Sequence, residues 1–204
     1  MLKIALPKGR IAKETLDIFE SIFNQKFNFE DRKLILRVDD FEFLLVRNQD
    51  VPTYVYNGAA DLGVVGLDVL EEKQFDIMHL LDLGIGKCRI CIGIPNDSTL
   101  NLNSPEITIA TKLENIAKKY FASHAISAKI IKLNGSIELA PLIGLSDAIV
   151  DIVETGTTMK QNGLKVDREI MTSTAHLIAN QNSFIQKRKE ILNLSEKIKE
   201  KINK

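Results

Sequence analysis

The 204-residue chain has no tryptophan, only two cysteines and three histidines, and no excess charge of either sign. Each shortage removes a class of function. Lysine plus arginine equals aspartate plus glutamate at 27 each, so there is no basic field for nucleic acid or for an anionic membrane surface. No apolar run approaches the roughly 20 residues needed to span a bilayer. Cys88 and Cys91 form a lone C-x-x-C, and His79, His124 and His176 are scattered without ligand spacing, which argues against a zinc site. The segment Lys87–Gly93 alternates like a strand, where residues three apart face opposite sides, so both cysteines read as core or near-core residues rather than a redox pair. P-loop, G-x-G-x-x-G, serine-elbow and kinase signatures are missing. The first ten residues, M-L-K-I-A-L-P-K-G-R, are interrupted by charge too early for an export signal, and the expected location is the cytoplasm.

Against these absences stands an ordinary globular composition, 45% hydrophobic and 26% charged, with one informative stretch. From Ser146 to Leu164 the chain reads S-D-A-I-V-D-I-V-E-T-G-T-T-M-K-Q-N-G-L. Ala148–Val153 is dense in β-branched residues and predicts a buried strand carrying Asp151 and ending on Glu154. Thr155-Gly156-Thr157-Thr158 then predicts a turn into a short helix stopped by Asn162-Gly163. Such a turn suits a phosphate monoester: backbone N–H groups and a helix N-terminus face the anion, Gly156 permits close approach, and the threonine hydroxyls add donors. Asp151 and Glu154 would repel that phosphate, but suit sugar hydroxyls or a hydrated metal ion. A phosphate seat with acid at its edge suggests a phosphorylated ribose. A plain strand-to-helix turn with a threonine cap is the alternative.

In chain order, strands are predicted at 3–6, 34–38, 41–46, 61–65, 77–81, 89–94, 107–110, 128–132, 148–153 and 170–179. Helices alternate with them, among them one capped by Asp50, one capped by Thr111, one from Ser136 through Leu142, and a long amphipathic one capped by Asn182. The βαβα order implies an α/β fold with mostly parallel sheets flanked by helices. Two lobes are expected, 1–86 with 175–204 and 87–174, with a ligand cleft between them. Ligands in such sheets gather at the carboxyl ends of strands, here the loops after Leu6, Val65, Lys132 and Val153.

Other groups at those ends are Lys8-Gly9-Arg10, where arginine can grip a phosphate bidentately and lysine acts as a point charge, and the basic pair Arg32-Lys33. Asp68 follows Gly63 and Gly66 in a possible ligand-facing turn, and Glu138 lies at a helix start after Asn134-Gly135-Ser136. Solvated surface pairs and simple helix capping are the structural alternatives for these groups.

Taken together, Leu6-Pro-Lys-Gly-Arg10, Asp50-Val-Pro-Thr-Tyr-Val55 with Gly58-Ala-Ala-Asp-Leu-Gly63, Leu81-Asp-Leu-Gly84, Ile109-Ala-Thr-Lys112, Leu133 through Leu142, and Asp151 through Leu164 resemble the ATP phosphoribosyltransferases that begin histidine biosynthesis. The resemblance runs over nearly the whole chain. It implies two lobes like those of type II periplasmic binding proteins. It also implies transfer of a phosphoribosyl group from phosphoribosyl pyrophosphate to N1 of ATP, with Mg²⁺ accompanying the substrate phosphates; no side chain of the protein is assigned as a metal ligand. On that resemblance, Asp151, Glu154, Thr155, Gly156, Thr157 and Thr158 bind phosphoribosyl pyrophosphate. Arg10 and Arg32 are the catalytic cations, and Lys8, Gly9, Arg10, Asp68 and Glu138 contact ATP or pyrophosphate. The resemblance is to the short form, which lacks a C-terminal regulatory domain. It implies a homodimer of this chain within a hetero-oligomer containing a regulatory subunit similar to histidyl-tRNA synthetase. A two-lobed solute-binding module and a phosphoribosyltransferase for another base are the rival readings.

Overall fold

Short apolar runs become strands and amphipathic stretches become helices in the computed structural model, which describes residues 1–203. The chain begins with β1 (Leu2–Pro7), α1 (Arg10–Phe23), β2 (Ile35–Val38), β3 (Phe41–Val46), α2 (Val51–Tyr56), β4 (Leu62–Gly66), α3 (Leu67–Lys73) and β5 (Met78–Asp82). It continues with β6 (Cys88–Pro95), β7 (Ile107–Thr111), α4 (Glu114–Ser123), β8 (Ala128–Lys132), α5 (Leu139–Leu142), β9 (Ala148–Val153), α6 (Thr157–Gln161) and β10 (Leu164–Ser173). It closes with β11 (Ala175–Ala179), α7 (Gln181–Gln186) and α8 (Arg188–Ile202).

Two compact units result: Met1–Gly86 joined by the segment from Thr174 onward, and Lys87–Ser173. The first holds a six-stranded sheet in the order β2-β3-β1-β4-β11-β5. Ile4 and Leu6 bury one face of β1 against α1 and α8 through Phe19, Ile191 and Leu194, while Ala5 on the other face meets Val51, Val55 and Val69 of α2 and α3. Phe19 packs edge-on to Phe43, their ring centroids 5.1 Å apart, a favoured arrangement for aromatic quadrupoles. The second unit holds a five-stranded sheet, β10-β6-β9-β7-β8. Ile90, Ile92 and Ile109 pack with Phe121 of α4 on one side, and Cys91, Ile149 and Val153 pack with Met159 of α6 on the other. Cys91 is fully buried and Cys88 half-buried, both as free thiols.

Several details differ from the sequence expectation. The sheets are mixed rather than mostly parallel. β1, β3 and β4 run parallel, as do β7, β8 and β9, but β11 is antiparallel to β4 and β5, and β6 is antiparallel to β9 and β10. Hydrophobic periodicity carries no strand direction, so the returning strands were invisible to it. Residues 164–169, with charges at 165, 167, 168 and 169, join the extended stretch because β10 pairs with β6 along its whole length. Asp50 occupies the position before α2 without a side-chain capping bond. Thr111 ends β7 instead of opening α4, which starts at Glu114. The helix after Ser136 is a single turn, α5. Asn180, not Asn182, caps the first of the C-terminal helices, α7: its Oδ1 accepts from the Ser183 N–H at 2.9 Å, and its Nδ2 donates to the carbonyls of Val55 and Tyr56. Asn180 therefore caps a helix and tethers it to α2 at once.

Candidate functional site

Strand β9 delivers the most informative residues of the second unit to its carboxyl end. Along it Val150 and Val153 are buried in the core, Asp151 is half-buried, and Glu154 emerges exposed just past the strand. The chain then turns through Gly156, whose φ of +81° lies in the left-handed region that L side chains rarely adopt. A Cβ there would stand 3.8 Å from Val153 Cγ1, an ordinary contact, so the backbone conformation and not crowding within the protein calls for glycine. The Gly156 carbonyl accepts from the Lys160 N–H at 3.1 Å, which opens α6. The Thr155 and Thr157 hydroxyls lie 2.9 Å apart, so Thr155 Oγ1 closes the turn from within. The first-turn N–H groups of a helix have no intrahelical acceptor, and the turn thus gathers amide and hydroxyl donors at one edge of the sheet.

This turn forms one wall of a cavity of about 380 Å³, whose lining also includes Lys112, Glu138 and Asp151. Lys112 lies in the Ile109-Ala-Thr-Lys112 segment, and its sequence neighbours alone assign it no role. Its Nζ lies 3.1 Å from Asp151 Oδ1, and that oxygen also accepts the Ile152 N–H at 2.8 Å. The neighbour that sets this contact is Thr111, fully buried. Its hydroxyl donates to the Val150 carbonyl at 2.6 Å and accepts the Leu113 N–H at 2.8 Å, locking the end of β7 to β9 beside Asp151. Only the parallel pairing of β7 with β9 brings 112 next to 151, and no local sequence pattern announces it. Glu138 reaches the same cavity from the start of α5, which Ile137 and Ala140 anchor in the core. On the outer side, Glu114 holds Lys132 at 2.8 Å and Lys118 at 3.2 Å, and these bonds keep its carboxyl below the usual range.

The remaining expected site residues belong to the first unit, at the carboxyl edge of its sheet. Lys8, Gly9 and Arg10 follow β1. The Lys8 N–H bonds the Val46 carbonyl at 2.9 Å, Gly9 has φ +107°, and Arg10 begins α1 with Nε 3.9 Å from Glu14 Oε1. Arg32 is exposed with φ +60°, and the Leu34 carbonyl accepts from Leu45, bringing that segment to the same edge. Asp68 sits there too, in the first turn of α3, but only 3% exposed. A larger cavity of about 520 Å³ opens at the opposite, amino ends of β1 and β3, between Phe23, the Asp39-Asp40 turn and α8. It collects surface side chains of both charges and an apolar floor, without the donor arrangement of the β9 turn, and chemistry argues for the smaller one.

Among the described residues no three His, Cys, Asp or Glu side chains cluster to hold a metal, and no helix is long and apolar enough to cross a membrane. Mg²⁺ commonly rests on substrate phosphates with one or two carboxylates and its own waters, a demand that Asp151 and Glu154 fit without a protein cage.

Two mixed sheets flanked by helices, with the donor-rich turn at a strand's carboxyl end, define an α/β protein of the type II periplasmic-binding-protein fold. The periplasmic aliphatic sulphonate binding protein of Escherichia coli shares that fold, with a TM-score of 0.65 at 12% identity over 98% of this chain and 72% of that one. A family model described as HisG, ATP phosphoribosyltransferase, matches residues 47–200. The ATP phosphoribosyltransferase of Campylobacter fetus is 69% identical, with 100% of both chains covered. The ATP phosphoribosyl transferase (HisG:HisZ) complex from Thermotoga maritima contains a chain with a TM-score of 0.83 and 36% identity, over 100% of this chain and 99% of that one. This chain belongs to the ATP phosphoribosyltransferase family.

Proposed function

We propose that this protein joins N1 of the adenine of ATP to the anomeric carbon of phosphoribosyl pyrophosphate, forming phosphoribosyl-ATP and releasing pyrophosphate, the first step of histidine biosynthesis. The observation that carries the site assignment is the left-handed Gly156 turn opening α6 above the cavity that holds Asp151. That turn, with Thr155, Thr157 and Thr158, receives the 5-phosphate on amide and hydroxyl donors. Asp151 and Glu154 accept from the ribose hydroxyls.

In the reaction the bond from the anomeric carbon to pyrophosphate breaks as the bond from N1 forms. Negative charge grows on the leaving pyrophosphate, and the guanidinium groups of Arg10 and Arg32, with Lys8 and the Gly9 amide, stabilise it. Glu138 and Asp68 serve the ATP side. When bound, Mg²⁺ neutralises substrate phosphate charge. The adenine nitrogen is already a nucleophile, so no activated serine, cysteine or histidine is required, and positioning two polyanions supplies most of the rate.

The Thermotoga relative is part of a HisG:HisZ complex. By analogy this chain acts in the cytoplasm as a short-form catalytic subunit, a homodimer within a hetero-oligomer that includes a regulatory subunit similar to histidyl-tRNA synthetase. Incubation with ATP, phosphoribosyl pyrophosphate and Mg²⁺ is expected to yield phosphoribosyl-ATP and pyrophosphate. No product, with the regulatory subunit present, overturns this reading.

A further inference from the structure

The cavity under the β9 turn poses an electrostatic problem. Its lining carries three carboxylates, Glu138, Asp151 and Glu154, and one cation, Lys112. A phosphorylated ligand brings further negative charge into that field, and like charges at short range in a partly desolvated site oppose binding. Lys112 is placed to answer this. Its ammonium is 3.1 Å from Asp151 Oδ1, its side chain is 38% exposed, and that of Asp151 is 14% exposed. The Thr111 hydroxyl fixes the backbone on both sides of the contact, through Val150 just before Asp151 and Leu113 just after Lys112. Lys118 and Lys132 are engaged by Glu114 and do not line the cavity.

Resting on the function proposed above, we infer that Lys112 is a positioning residue for the phosphoribosyl substrate: it neutralises Asp151 and holds that carboxylate aimed into the cavity, so that an anion can settle on the neighbouring turn. Lys112 acts through Asp151, and the role differs from that of a direct phosphate contact. The difference is measurable. If Lys112 works by cancelling the charge of Asp151, the need for it vanishes once that charge is gone. Asp151→Asn keeps an amide oxygen to accept from a ribose hydroxyl while removing the negative charge.

The experiment measures dissociation constants for phosphoribosyl pyrophosphate and for ATP, with Mg²⁺, on the full-length wild type and on K112M, K112R, D151N and the D151N/K112M double variant. Unfolding midpoints establish that each variant is folded. K112M is expected to weaken phosphoribosyl pyrophosphate binding about tenfold or more and ATP binding about twofold or less, with K112R retaining most of the affinity. In the D151N background the same lysine change is expected to cost about threefold or less, so the two effects are not additive. An unchanged affinity in folded K112M overturns the inference, as does an equal loss in both backgrounds, which marks a direct phosphate contact instead. Failure of the wild type itself to bind phosphoribosyl pyrophosphate overturns the proposed function, a result distinct from a silent K112M.

Discussion

Lys187 Nζ lies 2.7 Å from Asp61 Oδ2, and the Lys3 backbone N–H donates to that same oxygen at 2.9 Å. One carboxylate thus fastens the junction of α7 and α8 to the starts of β1 and β4, within the first unit. Burial alone would raise the Asp61 pKa, but the bonds from Lys187, the Lys3 amide and Ser183 outweigh it and hold the group below the usual carboxylate range.

Asp61→Ala removes the shared acceptor, leaving the Lys3 amide without its partner and Lys187 with only the Met1 carbonyl at 3.4 Å, with an expected loss of about 2 kcal/mol in denaturant unfolding. The sign with pH follows from the lowered pKa. Charged Asp61 contributes its full stability above the ordinary carboxylate pKa, and the contribution is lost as pH falls through the lowered value. The stability gap between wild type and Asp61→Asn should therefore close in acid, and a gap constant from pH 7 to pH 2 refutes the linkage.

Gly156 tests the phosphate seat. With space for a Cβ but φ at +81°, Gly156→Ala should impose left-handed strain of about 1–2 kcal/mol on the turn, and the β-branched Gly156→Val more. Phosphoribosyl pyrophosphate binding is expected to suffer more than ATP binding in both, with valine the worse. Equal losses of the two affinities in a folded variant count against the seat.

Thr111→Val keeps the shape of a buried side chain but leaves the Leu113 N–H without its acceptor and the Val150 carbonyl without its donor. A loss of about 1–3 kcal/mol is expected. Because the lock also fixes Lys112, phosphoribosyl pyrophosphate affinity should fall in parallel, as a titration of the folded variant would show.

Arg32→Ala should reduce turnover by at least an order of magnitude while changing stability by about 0.5 kcal/mol or less, since the residue is exposed. Unchanged turnover demotes Arg32 to a surface charge.

His176 on β11 pairs across the register with Asp82 of β5, and its ring centroid is 6.1 Å from that of His79. Burial pushes the His176 pKa down, Asp82 pushes it up, His79 pushes it down, and the net shift is downward. The unfolded chain therefore takes up this proton first as pH falls below about 6.5, and folded stability declines there. His176→Gln should flatten that part of the stability profile, measurable by unfolding at several pH values.

What could be read from sequence divides along a physical line. The strand at Ala148–Val153, the glycine turn after it and the basic loop after β1 are local patterns, and each is visible in a few residues. The alliance of Lys112 with Asp151 is not, because it depends on β7 lying beside β9 although the partners are 39 positions apart in the chain. The capping role of Asn180 is hidden from sequence for a related reason. Asn182 has the same capping chemistry two residues on, and only the tether from Asn180 to Val55 and Tyr56 distinguishes them. Asp68 shows a further limit: its place after a strand is visible in the sequence, but its depth of burial is decided by the packing of α3.

The position of β11 has a consequence for the order of assembly. This strand, made after the whole of the second unit, lies in the interior of the first sheet with β4 on one side and β5 on the other. During synthesis, residues 87–173 leave the ribosome as an uninterrupted stretch that can close its own sheet, while β5 still waits for its neighbour and β4 presents an open edge. The unit second in sequence is thus the first able to finish, and the amino-terminal unit must stay incomplete, its unpaired strand edges open to aggregation, until the segment from Thr174 onward emerges.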